Sequence, residues 1–157
     1  MRSSMVPFRL DPSKRESQLR QFNARTEIDW FGFEGSFQAP GSALIRFAQL
    51  RDGASGGGGT KAINGGVISA GFDAAFVLAG LGHYETEVVV TLELSVKFLS
   101  LATASPSLVF EGWVIRSARH FAFAEGSLRD SAQADGRHFA MATAMVAPAG
   151  APDPARA

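Results

Sequence analysis

The chain contains no cysteine, which removes disulfide frameworks, thiolate metal sites and a cysteine nucleophile together. Neither sign of charge is in excess: 15 basic and 15 acidic side chains give a formal net charge of zero, with no block of like charge. A surface built for nucleic acid is therefore not expected. No apolar run reaches membrane-spanning length, and Met1 to Phe8 lack the apolar core and small-residue cleavage site of a secretory leader. The expectation is a cytoplasmic protein with no membrane and no nucleic-acid partner. What is plentiful is apolar surface: 46% of the 157 residues are hydrophobic, enough for one well-filled core and one domain.

Asp11 followed by Pro12 reads as an N-cap and first helical position, and Glu16, Leu19, Phe22 and Ile28 continue a loose amphipathic stretch to about Asp29. This divides the chain into a helical extension over 1–29, a main domain over 30–147 and an Ala/Pro-rich tail over 148–157, expected to be disordered. From Trp30 to Leu50, β-prone residues interrupted by Ala39-Pro40-Gly41 predict a hairpin with strands near 31–39 and 43–50. Asp52 to Thr60 is almost all Gly, Ala and Ser, too flexible for an element, and a loop of this kind often borders a site.

The segment from Asn64 to about Tyr84 has the length of a helix and is apolar nearly all round, which in a soluble chain means burial on most faces. Val88, Val90, Leu92, Leu94, Val96 and Phe98 then alternate with Thr91, Glu93, Ser95 and Lys97, predicting a long half-buried strand. Three more strands are expected near 107–117, 120–132 and 137–147, with a turn signal at Asp135-Gly136. A helix apolar on all sides is hidden only if the sheet wraps it, and Ala122, Ala124, Ala140, Ala142 and Ala144 would allow close approach. The fold class is α+β: an antiparallel curved sheet around one long central helix, the hot-dog arrangement.

Within that helix Asp73 is the candidate for chemistry. A carboxylate among apolar neighbours is costly unless it is paired, hydrated or useful. It is either a hydrogen-bonded structural group or a general base or nucleophile. At the helix start, Asn64 is a favoured N-cap, and Gly65 and Gly66 let a ligand approach the unpaired first-turn amides, a candidate oxyanion hole. Gly66 and Asp73 are seven residues apart and share a face, yet helical rise separates them by roughly 10 Å. One carbonyl is too small to meet both. If both act together, amide and carboxylate come from different subunits, which predicts a two-fold dimer with composite sites.

These residues resemble the hot-dog thioesterases of the phenylacetate-degradation type, within the 4-hydroxybenzoyl-CoA thioesterase-like superfamily. In that family a His-Gly-Gly motif opens the central helix and an Asp follows eight residues after the first glycine, the interval from Gly65 to Asp73. Thr91 to Leu99 is similar to the family strand Thr-Val-Glu-Leu-Ser-Val-Asn-Phe-Leu, and Arg119 to Glu125 to its Arg-x-Leu-Ala-Phe-Ala-Glu segment. The resemblance covers about residues 30–147. It implies hydrolysis of acyl-CoA thioesters, with the Gly65 amide polarising the carbonyl, Asp73 of the partner subunit activating water or attacking, and Thr91 orienting the water. It also implies dimers through the long strand, paired into homotetramers, with coenzyme A bound at the surface and neither metal nor further cofactor. The chain departs from the pattern at two positions. Asn64 stands where the family has histidine, a catalytic-site position from which it could cap the helix or donate a hydrogen bond to the carbonyl but not carry a proton, and Gly58 stands where Asn or Gln is often found six residues earlier.

Gly66 and Ser69 join the substrate-binding candidates at the helix start. Lys97, Arg116 and Arg119 are candidates for the coenzyme A phosphates, weighed against a plain role as solvated sheet residues. His83, near the helix end, reads as a cap that compensates the helix dipole, and Met141 and Met145 as packing residues on one strand face. A non-catalytic acyl-CoA-binding or scaffold protein is the alternative function. A hot-dog dehydratase is a third, but it calls for a histidine paired with the carboxylate, and none stands at a matching position.

Overall fold

The computed structural model describes residues 4–56 and 58–150. Along the chain run α1 (Pro12–Asn23), α2 (Thr26–Trp30), β1 (Phe33–Gln38), β2 (Ser42–Phe47), α3 (Gly65–Leu81), β3 (Val88–Phe98), β4 (Leu108–Ser117), β5 (Ala122–Asp130) and β6 (His138–Ala149). The six strands make one sheet in the order β1-β2-β4-β5-β6-β3, with every neighbouring pair antiparallel. Its inner face closes on α3. Phe72, Ala75, Phe76, Leu78 and Ala79 of α3 are fully buried against Ile45, Phe110, Val114, Ala122, Ala124 and Ala140. The small residues expected to permit this approach do so. A Cβ on Gly71 would lie 2.4 Å from the Phe110 ring, and one on Gly80 would lie 2.9 Å from Val89, so both positions require glycine for packing. Among the described residues no helix is long and apolar enough to cross a membrane.

The N-terminal stretch is two helices rather than the single one expected over 11–29. Asp11 caps α1 by accepting from the Lys14 amide, with Pro12 beginning the helix. The break follows from Asn23, whose side chain exchanges two hydrogen bonds with the Gly35 backbone, at 2.7 and 3.0 Å. That tie to β1 stops α1, and Arg25 is extended before α2 begins. Phe22 and Ile28 from this stretch are buried in the main core.

The long strand holds the main surprise. Sequence alternation places Val88, Val90, Leu92, Leu94, Val96 and Phe98 on one buried face. In the structure a bulge between Thr91 and Glu93 shifts the pairing with β6, because one extra residue on one strand reverses the side-chain phase beyond it. Before the bulge Val89 is buried and Thr91 reaches Asp73 on the helix side, while Val88 and Val90 are turned out and exposed; beyond it Leu94 and Val96 pack on the core. β3 is also the sheet edge, paired only with β6.

Two smaller differences concern the glycine-rich loop and the tail. The glycine-rich loop is partly organised: Asp52–Ala54 form a 3-10 turn, Ser55 bridges Ile63, and the Asn64 amide donates to the Ala54 carbonyl at 2.8 Å. Backbone hydrogen bonding, which composition does not reveal, supplies this order. Pro148 and Ala149, expected in a disordered tail, continue β6 opposite Val89 and Val88. Residues 151–157 of that tail lie outside the described residues.

Candidate active site

The first turn of α3 and Asp73 open onto different spaces. At the helix start the Asn64 side chain accepts a hydrogen bond from the Gly66 amide at 2.8 Å. An α-helix leaves its first-turn amides without intrahelical partners; Asn64 satisfies that of Gly66, and Gly65 beside it is an exposed residue. A cleft of about 640 Å³ lies over this end, lined by Asp29, Trp30, Phe31, Arg51, Gly53, Ala54, Asn64, Gly66 and Val67. The turn at Asp52–Ala54 thus borders it, as the loop's composition suggested. The partial positive charge of the helix start favours negative charge developing there.

Two turns along, half-buried Asp73 faces a second cavity of about 490 Å³, which Arg25, Glu27, Phe31, Ala70, Val90 and Thr91 help to line. The Thr91 hydroxyl donates to Asp73 Oδ1 at 2.5 Å. With Leu92 in the strand, the bulge is what lets Thr91 and Leu94 both face the helix side, since unbroken alternation through Leu92 would set Thr91 on the face opposite Leu94. A hydroxyl fixed on one carboxylate oxygen orients the group and leaves Oδ2 free to accept from a water. The cavity includes Val88, Val89 and Val90 at the unpaired edge of β3.

The remaining candidates are dispersed. Ser69 donates to the Gly65 carbonyl at 3.0 Å, so its hydroxyl is engaged within its own helix. Lys97, Arg116 and Arg119 are exposed and line neither cleft. His83 is not the charged cap expected from its position. It is buried at 4% exposure beneath Phe8, whose ring centroid is 5.9 Å away. Among the described residues neither ring nitrogen has a hydrogen-bond partner. Burial pushes the imidazole down to about 4, with the Arg9 guanidinium adding to the effect, so at neutral pH it carries no charge to set against the dipole. Sequence reasoning missed Trp30, Phe31 and Arg51 in the first cleft and Arg25 and Glu27 in the second. Their only signal was an aromatic pair following Asp29, which read as the start of a strand.

A sequence profile of the thioesterase superfamily matches residues 60–136, from the loop before α3 to the turn before β6. No curated protein sequence matches the chain at a significant level. Several solved structures share the fold. The PaaI protein from the phenylacetic acid degradation operon of E. coli superposes with a TM-score of 0.74 at 14% identity, covering 88% of this chain and 95% of that one. A Haemophilus influenzae thioesterase gives 0.74 at 13% identity, covering 95% and 99%. A thioesterase family protein from Silicibacter pomeroyi gives 0.66 at 21%, covering 85% and 96%. A six-stranded antiparallel sheet wrapped on one apolar helix gives the chain the hot-dog fold, and its residues 60–136 carry the sequence pattern of the thioesterase superfamily.

Proposed function

We propose that the protein hydrolyses acyl-CoA thioesters in a homodimer, at sites that each combine the α3 start of one subunit with Asp73 of the other. The observation that carries this reading is the 2.5 Å hydrogen bond from Thr91 to Asp73, made in a cavity at the free edge of β3. It is supported by the separation of that cavity from the cleft over Gly66, because a single carbonyl cannot occupy both. Two copies joined along β3 would bring each Asp73 toward the partner's helix start.

In this mechanism Thr91 holds Oδ1 of Asp73, and Oδ2 accepts a proton from a water that attacks the thioester carbon. The carbonyl oxygen becomes an oxyanion facing the Gly65 amide and the helix dipole. Collapse breaks the carbon–sulfur bond, the acid leaves, and the coenzyme A thiolate takes up the proton. In the nucleophilic variant Oδ2 attacks the carbon directly, the carbon–sulfur bond breaks with release of the coenzyme A thiolate, and water then adds to the Asp73 carboxyl carbon of the mixed anhydride, freeing the acid and passing its proton to the thiolate. Single turnover in ¹⁸O-water separates the two, since only the second places label in the Asp73 carboxylate. Asn64 caps the helix in either case but cannot carry a proton. Cytoplasmic location, and pairing of the dimers into tetramers, belong to the same reading.

The test is turnover across short, medium and aromatic acyl-CoA substrates for the wild type, Asp73→Asn and Asn64→His. Loss in the first variant and gain in the second are expected. Turnover unaffected by Asp73→Asn would overturn the assignment. Acyl-CoA binding without turnover in the wild type would establish the non-catalytic alternative.

A further inference from the structure

The cleft over the helix start has an outer wall that the catalytic reading does not use. Trp30, at the end of α2, is 69% exposed, and its ring meets Phe31 edge-on at 5.0 Å between centroids. Phe31 in turn stacks on Phe33 at 5.3 Å and 12°, and Phe33 is buried in the core. The exposed tryptophan is therefore braced from behind. Ala54 and Val67 complete an apolar lining, and the charged residues on it face one another. Arg51 donates to the Asp29 carbonyl at 2.8 Å and lies 3.6 Å from its carboxylate. Trp30, Phe31 and Arg51 precede the segment matched by the superfamily profile, residues 60–136, so this wall is contributed by the chain's own N-terminal part.

We propose that this cleft holds the acyl group, that it selects medium-length, uncharged apolar acyl chains, and that Trp30 is the specificity-determining residue. The proposal rests on the acyl-CoA reading of the site. A space of about 640 Å³ far exceeds an acetyl group and lies in the range that covers most of a small apolar ligand. An apolar chain gains by leaving water against Trp30 and Phe31, roughly 0.8 kcal/mol for each methylene covered, about a fourfold preference. An acyl group ending in a carboxylate would instead meet Asp29, with Arg51 already engaged.

The experiment compares kcat/KM for acetyl-, octanoyl- and succinyl-CoA in the wild type and Trp30→Ala; the exposure of Trp30 lets the variant fold. Octanoyl-CoA is expected to exceed acetyl-CoA by at least about tenfold, and Trp30→Ala to cut that ratio by about tenfold. An unchanged ratio, preference for succinyl-CoA, or an equal loss on all three substrates overturns the proposal, the last because it assigns the cleft to the pantetheine arm. Tryptophan fluorescence separates this inference from the hydrolytic one. Suppose the wild type turns over nothing: a saturable change with octanoyl-CoA but not with coenzyme A, lost in Trp30→Phe, keeps the acyl site while hydrolysis falls. No such change overturns the acyl site as well.

Discussion

The two ends of α3 are built to opposite rules. Its beginning is open: Asn64, Gly65 and Gly66 are exposed beneath a cleft, with one amide taken by the Asn64 side chain. Its far end is sealed. From Ala74 through Leu81 every residue is buried, and the N-terminal segment crosses over the end, with Leu10 donating to Gly82 O and Phe8 edge-on to Phe37 at 4.9 Å. Asp73 stands just before the sealed half begins. One helix thus serves as anchor along one half and as a presenting surface along the other, and its stability need not come from the end that meets the ligand.

Four substitutions or titrations probe that division, beginning with the largest effect. Asp73→Asn should lower turnover by about 10²–10⁴-fold, the usual range for a lost general base, while the melting temperature barely moves, because the amide oxygen still accepts from Thr91. A comparable drop in melting temperature would mean that Asp73 belongs to the anchoring half. Phe76→Ala does the reverse: Phe76 is fully buried, and truncation should cost about 3–5 kcal/mol of stability by denaturant unfolding, with kcat per folded molecule retained.

Acid should loosen the sealed end first. His83 has a folded value of about 4 against an ordinary 6.5, so the unfolded chain binds its proton more readily. Its contribution is whole above about pH 6.5 and is lost as pH falls toward 4, at most about 3 kcal/mol. Unfolding curves at pH 7 and 4.5 should differ by less in His83→Leu than in the wild type, and an equal difference would remove His83 as the cause. Smallest is Asn64→Ala, which should cost about 1 kcal/mol as a lost N-cap, read as a shift in unfolding midpoint.

Much of this was legible in the residues. The all-apolar stretch from Gly65 to Leu81 carried the helix, its burial and the wrapping sheet, because a chain has few ways to hide a helix on every side. Asp73 was legible as the one carboxylate in that stretch. Its partner was legible only through resemblance. Simple alternation turned Thr91 outward, and no local signal marks the bulge at Leu92, which arises from pairing with β6. His83 misled for a related reason: its position at a helix end suggested a charge, but the segment that buries it lies some 75 residues earlier in the chain, at Phe8. The Trp30 wall was hidden because a five-residue helix has no readable period.

The bulge in β3 has a consequence that concerns parity rather than length. A strand reads like a string of alternating symbols, and the single additional one at Leu92 splits it into two halves with opposite parity. Removing that residue would leave an unbroken alternation in which Thr91 still points at Asp73 and Leu94 still points at the core. A single insertion between Val89 and Thr91, absorbed as regular strand, would turn Thr91 away although every residue of the site remained. The integrity of the site is thus conserved by an odd-or-even count along one strand, a quantity that no single side chain carries.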